Sequence, residues 1–557
     1  MAATEVIKEA IWLKVGLIPN FGYVGSHRDV ATFGDDGSLI ITCLVSVLAV
    51  AYFAWNVKKS RKANAKLPPG PRGLPVIGYL PFLGTTDLHK TFTELAGAYG
   101  PIFKLWLGNK LCVVVSSPSL VKQVVRDQDI TFANRDPPIA GLVASFGGND
   151  ILFSNYGPEW RKLRKLFMGK LMSNASLDAC YAIRKQEVKN IIRDLYNNNK
   201  TGIGKPIDVG ELSISTFVCV IQNMLWGEAL ELREKGISNL GAELKFKLAE
   251  LVVLMGTPNI SDIIPVLSWL DIQGIEKRTK KISLWFENFI DSAVEQYRNK
   301  VSVVEGEGGA GNNIEGRNKD SLQLLLELQE NEDSASSIST IQLKALLVDI
   351  ISGGTDTTTT TVEWTMTELM HNPRVMKKVQ EELAQVVGMD SCVEEFHLPK
   401  LKYLDAVVKE TFRLHSVPYL VPRRASQSSS IGGYTVPKDT TIILNVWAIH
   451  RDPQIWDNPL EFGPEKFLND GIASKFDYSG NNFQYLPFGS GRRMCAGIAL
   501  AERMLMFVLA SLLHSFDWKL PAGTKLDLSE KFGILIKKKE PLVAIPTPRL
   551  PNSELYQ

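Results

Sequence analysis

Apolar side chains at Leu343, Leu346, Leu347, Ile350 and Ile351 recur three and four residues apart, and Val362, Met366 and Leu369 resume the rhythm. That spacing predicts one long helix with a buried face. Between its halves lies SGGTDTTTTTVEW, residues 352–364, with two glycines, six threonines and Asp356. Relative to alanine, these glycines and threonines cost about 5–6 kcal/mol of helix propensity, at roughly 1 per glycine and roughly 0.6 per threonine. A buried helix that keeps them needs a reason. The same periodicity predicts helices over residues 118–127, 159–172, 177–196, 277–300, 401–415 and 497–514. Short apolar runs predict strands in PIFKLWLG, LCVVVSS and TTIILNVW. Together they describe one mostly helical globular unit over residues 78–550, with a tail at 551–557.

A different pattern stands near the start. LIITCLVSVLAVAYFAWNV, residues 39–57, is 19 residues without a charge, enough to cross a bilayer as a helix. Asp35 and Asp36 precede it, and Lys58, Lys59, Arg61, Lys62 and Lys66 follow. That bias places the globular unit in the cytosol and residues 1–38 on the other side. A cleaved signal peptide fits less well, because the run starts late, follows acid and is longer than such segments. Residues 58–77 read as a basic, proline-rich hinge, since KLPPGPRGLPVIG cannot continue a helix. KEAIWLKVGLI, ahead of the span, has the pattern of an amphipathic surface helix. PNISDIIPVLSWLDIQGI, residues 258–275, is apolar and punctuated by proline. It reads either as packing or as a loop that dips into a membrane.

Composition narrows the chemistry. Of 557 residues, 45% are hydrophobic and 22% charged, and the net charge is +2. No broad basic field marks a nucleic-acid partner. Six dispersed cysteines form no CxxC pair and imply neither a zinc site nor a disulfide framework. A formal GxGxxG at Gly306, Gly308 and Gly311 sits in a polar stretch, not in a strand-to-helix turn, and does not imply a nucleotide.

FGSGRRMCAGIALAERMLMF, residues 488–507, is the strongest local signal. Gly489, Gly491 and Gly497 permit positive φ and close backbone approach. Cys495 stands where an amphipathic helix begins, and helix-end amides together with Arg493 favour a thiolate there. Phe488, Gly491, Arg493, Cys495 and Gly497 also spell F-x-x-G-x-R-x-C-x-G, and here the chain resembles the cytochrome P450 monooxygenases. Other motifs agree in order: W-x-x-x-R as Trp160 and Arg164, E-x-x-R as Glu410 and Arg413, and F-x-P-E-x-F around Phe462, Pro464, Glu465 and Phe467. Lys466 replaces the family's arginine there and loses its planar fork. GGTDTT, residues 353–358, matches the family's A/G-G-x-D/E-T-T/S. The form is that of the plant A-type branch, in the group of a cadinene hydroxylase, other terpene oxygenases and some flavonoid hydroxylases.

The resemblance implies a mainly α fold, a large helical domain with a small β-rich region. It implies haem b with Cys495 as axial ligand and Phe488 beside the sulfur. Arg493, Trp160, Arg164 and Arg423 would hold the propionates. Glu410, Arg413, Pro464 and Lys466 would be structural. Gly353 and Gly354 would bring the helix close to the haem and open its hydrogen-bond ladder, while Asp356 and Thr357 deliver protons to O2. Electrons would come from NADPH through a flavin-carrying NADPH–cytochrome P450 reductase at the endoplasmic reticulum membrane. Arg161, Lys162 and Lys165 form either a solvated basic face or a dock for that reductase. By position, Ile139, Leu142, Val143, Val417, Leu420, Val421, Phe532 and Ile534 would face substrate. They carry no Arg or Lys, so a lipophilic terpenoid is the first expectation and a flavonoid the second. A non-oxygenating haem-thiolate isomerase or dehydratase and a non-enzymatic haem or ligand-binding protein are further alternatives. Thr359, Thr360 and Thr361 receive no chemical reason.

Overall fold

The computed structural model describes residues 66–84, 87–199, 204–226, 238–306, 321–330, 337–468 and 472–557, with Cys43, Ser46, Val47 and Val50 besides. The expected pre-anchor segment, almost all of the span, most of its basic flank and the Gly-rich stretch after Gly306 lie outside the described residues.

The elements that build the site are, among the helices, α1 (Leu88–Tyr99), α2 (Ile139–Ala144), α3 (Pro158–Leu166), α4 (Val209–Trp226), α5 (Ser238–Gly256), α6 (Ile275–Gly306), α7 (Thr340–His371), α8 (Pro373–Val386), α9 (Lys402–Leu414) and α10 (Ile498–Ser515). The strands are β1 (Ile102–Leu107), β2 (Lys110–Val115), β3 (Leu420–Arg424), β4 (Thr441–Asn445), β5 (Glu530–Lys531) and β6 (Lys537–Lys538). The first four make one sheet in the order β1-β2-β4-β3. β2 and β4 are parallel, with Cys112 beside Thr441, and the outer pairs are antiparallel. β5 and β6 form a hairpin with Lys537 opposite Lys531. Helices expected over 118–127 and 159–172 end in wider π turns, at Gln123–Asp127 and Phe167–Leu171. The helix expected over 177–196 is two, broken at Cys180.

α7 runs through the helical core against α4, α6, α8, α9 and α10. Ser339 caps it in a reciprocal capping box with Gln342. Its threonines are accommodated by turning inward on the helix itself. The hydroxyls of Thr355, Thr357, Thr358, Thr360 and Thr361 each donate to the carbonyl four residues back, at 2.7–3.0 Å. Thr360 and Thr361 are therefore buried without stranding a donor, which is the reason that spacing alone did not supply. Thr359 Oγ1 has no such partner. The expected opening of the ladder does not occur, because the helix is continuous from Thr340 to His371. The two glycines also differ. Nothing stands within 4 Å of a Cβ added at Gly353, whereas one at Gly354 would collide with Ile221 of α4. Gly354 thus serves helix–helix packing, a role that the sequence did not suggest.

A second pattern on α7 organises its neighbours. Gln342, Asp349, Asp356 and Glu363 recur every seven residues, close to two helical turns, and so follow one slowly drifting stripe. Each holds a different segment. Gln342 Nε2 donates to Glu159 of α3 at 2.9 Å, and Ile151 N donates to Asp349 at 2.9 Å. Lys537 Nζ donates to Asp356 at 2.6 Å, and Leu542 N to Glu363 at 2.9 Å.

The E-x-x-R pair is fully buried at the end of α9. Arg413 meets Glu410 twice, at 2.6 and 2.8 Å. Its remaining donors reach the carbonyls of His450, Pro459 and Glu461, so all of its N–H groups are used. Lys466 Nζ sits 3.0 Å from Glu410 Oε1, on the turn that Pro464 opens. The third partner is therefore in place as a lysine: Arg413 already supplies the fork, and a single ammonium suffices beside it. Arg413→Met is expected to cost about 3–5 kcal/mol, because it strands a buried carboxylate. Lys466→Met, at a partly exposed edge, should cost about 1–2 kcal/mol. Unfolding midpoints in detergent check the order; equal losses would contradict it.

Candidate active site

The loop before α10 places Cys495 by backbone geometry. Gly489 and Gly491 have φ of 71° and 67°. A Cβ at Gly491 would also strike the Val125 carbonyl, so only glycine fits. Cys495 N donates to Phe488 O at 2.9 Å, closing the loop on itself. The Phe488 ring packs edge-on against Phe412 and Tyr478 at 5.0 and 5.1 Å. Cys495 is solvent-accessible although protein surrounds it closely. Burial pushes its thiol pKa up, while the Gly497 N–H and Arg164 draw it back down. The metal-free thiol is thus less acidic than the helix-end position alone suggests, although a bound metal ion would deprotonate it outright. Among the described residues, no cluster of three His, Cys, Asp or Glu side chains could hold a metal. Cys495 as a single protein ligand fits iron carried in a haem.

Four guanidiniums gather near this loop. Arg493 donates to the carbonyls of Ala133 (2.6 Å), Ile151 (3.1 Å) and Ser154. Arg164 on α3 donates to Met494 O at 2.7 Å. Arg423 on β3 donates to Ser490 O at 2.9 Å, and its Nε has no partner. Arg135 donates to Pro422 O, and its Nε is also unpartnered. Burial first, then mutual repulsion, lowers the pKa of Arg423 well below its ordinary value and brings Arg493 to about 9. Burial brings Arg135 to about 10. None of the four forms an ion pair with a described side chain. A cluster with this surplus charge and two stranded donors fits an anionic group such as a pair of haem propionates.

Trp160 plays a different part from the one expected. Its indole N–H is spent on Ile151 O at 3.0 Å. Its ring lies against Arg493 and Arg164 at 4.4 and 5.5 Å, so it supports the arginines rather than joining them. Arg135 was not foreseen. It stands in NRDPP with no motif around it, and only the fold brings it beside the other three.

On α7, Asp356 is 2% exposed. Lys537 holds its Oδ1, and Oδ2 is unpartnered. Thr357 is half-buried and donates to Gly353 O at 2.7 Å. The segments expected to face substrate are distributed unevenly. Leu142 is exposed and Ile139 and Val143 are half-buried on α2, which packs on α6. Leu420 and Val421 pack partly into the two apolar clusters of the sheet, a correction to a purely substrate-facing role. Val417 is half-buried ahead of β3. Phe532 stacks on His89 of α1 at 5.6 Å, and Ile534 approaches Gly256 at the end of α5.

The family profile described as Cytochrome P450 matches residues 68–545. A flavonoid 3'-monooxygenase of Petunia hybrida is 38% identical over 491 residues, 87% of this chain and 92% of that one. A flavonoid 3'-monooxygenase of Crocosmia x crocosmiiflora is 37% identical over 515 residues, 91% and 97% of the two chains. A 3,9-dihydroxypterocarpan 6A-monooxygenase of Glycine max is 35% identical over 518 residues, 92% and 98%. A zebrafish cytochrome P450 solved with abiraterone superposes with a TM-score of 0.68 at 26% identity, covering 83% of this chain and 99% of that one. The cysteine loop, the clustered arginines and the threonine-rich helix thus sit in a fold shared over nearly the whole catalytic unit, and the chain belongs to the cytochrome P450 family as a haem-b monooxygenase.

Proposed function

We propose that this monooxygenase hydroxylates a flavonoid or closely related phenolic, in the reaction RH + O2 + NADPH + H+ → ROH + H2O + NADP+. The observation that carries the reading is the similarity to flavonoid oxygenases across about nine-tenths of the chain. It reverses the order expected from the apolar linings, which put a terpenoid first; an uncharged aromatic ring system fits the same linings. The non-oxygenating and non-enzymatic alternatives give way to the family's monooxygenase activity.

Bound haem supplies the splitting of dioxygen and the insertion of one oxygen atom into a C–H bond. In this reading Cys495 would hold its iron through the thiolate, with Phe488 and the tight turn at Gly491 fixing the sulfur. Arg135, Arg164, Arg423 and Arg493 hold the propionates through charge-assisted hydrogen bonds. Thr357, on the face that Gly353 leaves open, places a hydroxyl for proton transfer, and Asp356 supplies protons from the interior. Residues 39–57 anchor the chain in the endoplasmic reticulum membrane, and residues 58–77 link the anchor to the cytosolic unit. The exposed Arg161 and Lys165 of α3 offer a face to an acidic reductase, whereas Lys162 is tied to Glu159 at 2.7 Å. Within residues 258–275, Val266 and Trp269 are 76% and 79% exposed, and Leu270 and Ile272 are exposed beside them. Apolar exposure on that scale supports contact with the membrane over mere packing.

A panel of flavonoids and sesquiterpenes in reductase-supplemented microsomes, read by mass spectrometry, should give a product one oxygen heavier from flavonoids only. A sesquiterpene product alone would return the substrate to the first expectation. Thr357→Ala should keep the red-shifted carbon monoxide band and raise peroxide release relative to product by about tenfold or more. Full coupling in that variant would remove Thr357 from proton transfer. Val266→Ser with Trp269→Ser should weaken binding of an anchor-deleted chain to phospholipid vesicles by about thirtyfold or more, since each exposed side chain contributes about 1 kcal/mol or more when buried in lipid. Unchanged binding would assign the segment to packing.

A further inference from the structure

The mechanism so far leaves Lys537 unused. It lies on β6, in the hairpin whose turn carries Phe532 and Ile534. Its ammonium is 2.6 Å from Asp356 Oδ1; the lysine side chain is 36% exposed and the aspartate side chain 3%. The pair therefore spans the boundary between solvent and the interior of α7. It engages one carboxylate oxygen only, and the other is buried with no partner. An acid held in this way keeps a fixed orientation while one lone-pair face remains available to hand on a proton.

The same hairpin is joined to α7 again about two turns further along, at Trp364. Trp364 Nε1 donates to Ile536 O at 3.1 Å, and Lys538 Nζ lies over the Trp364 ring at 5.0 Å. At the hairpin's other strand, Tyr419 donates to Glu530 Oε1 at 2.5 Å. Of these ties, the Lys537–Asp356 pair alone reaches the carboxylate assigned to proton supply. Displacement of the Phe532–Ile534 turn by a substrate would be transmitted through Leu535 and Ile536 to Lys537 and its ammonium.

We propose that Lys537 is a positioning residue for proton delivery: it orients Asp356 by one oxygen and couples that orientation to the substrate-facing hairpin. The inference rests on the assignment of Asp356 to proton supply. Lys537→Met, Lys537→Arg and Asp356→Asn are compared in the full-length haem-loaded protein, in phospholipid nanodiscs with reductase and a flavanone. Two readouts are used: peroxide released per NADPH consumed, and hydrogen exchange of the amides of residues 530–538 in the resting protein without NADPH. Lys537→Met is expected to raise the peroxide share several-fold and to speed hairpin exchange by about tenfold. Its carbon monoxide band should stay at the haem-thiolate position, and Lys537→Arg should restore both quantities. A wild-type peroxide share in Lys537→Met, alongside a raised share in Asp356→Asn, overturns the proposal whatever the hairpin does. A raised share with unchanged hairpin exchange overturns the coupling to the hairpin. A wild-type share in Asp356→Asn overturns the assignment of Asp356 itself, and so is distinguishable from failure at Lys537. Loss of the carbon monoxide band in Lys537→Met transfers the decision to Lys537→Arg, which overturns the proposal if it, too, fails to preserve coupling.

Discussion

A helix buried on nearly every side must find partners for the polar atoms it takes inside, and α7 does so in two ways for all but Thr359 Oγ1 and one oxygen of Asp356. Its threonines, Thr359 apart, satisfy themselves on the helix backbone. Its heptad of Gln342, Asp349, Asp356 and Glu363 reaches outward, and each side chain captures a segment remote in sequence. Burial makes those bonds costly to leave unmade. The stripe therefore fixes where α3, the residues around Ile151, the β5–β6 hairpin and the chain at Leu542 can lie. The site is assembled along this rail rather than within any one loop.

Electrostatics impose a second condition. Four guanidiniums lie close enough that their repulsion, added to burial, lowers the pKa of Arg423 and Arg493, without a carboxylate in ion-pair contact among the described residues. Their hydrogen bonds to carbonyls satisfy donors but do not neutralise charge. Such an arrangement is favourable only around an anion, and the cysteine loop lies beside it because Met494 and Ser490 accept from two of the four. Anion recognition and placement of the sulfur are consequently one piece of architecture. Arg135 completes it from a stretch of sequence with no motif.

What could be read from the sequence followed from how local each signal is. The cysteine loop was legible because glycine, arginine and cysteine sit within ten residues and the turn is built from their own backbone. The E-x-x-R pair was legible because i and i+3 share a helix face. Long helices were legible from periodicity, but not the break at Cys180 or the π turns, where tertiary packing sets the ends. Lys537 and Arg135 were illegible because their roles come from partners 181 positions and more away. The substrate-facing segments were legible only as positions. Spacing cannot tell whether Leu420 and Val421 look toward the site or into the sheet, and they are shared between the two. The lysine at 466 looked like a weakness in the triad and is not one, since the fork geometry is already filled by Arg413.

The two adjacent glycines of α7 illustrate how differently neighbouring positions can be constrained. Gly353 has free space where a side chain would begin; Gly354 is pressed against the tip of Ile221. A methyl group at 353 meets nothing, and a methyl at 354 requires α4 to yield. Positions 354 and 221 are therefore a single unit of inheritance. A larger residue at 354 is tolerated only where position 221 becomes smaller, whereas position 353 answers to whatever occupies the open face beside Thr357.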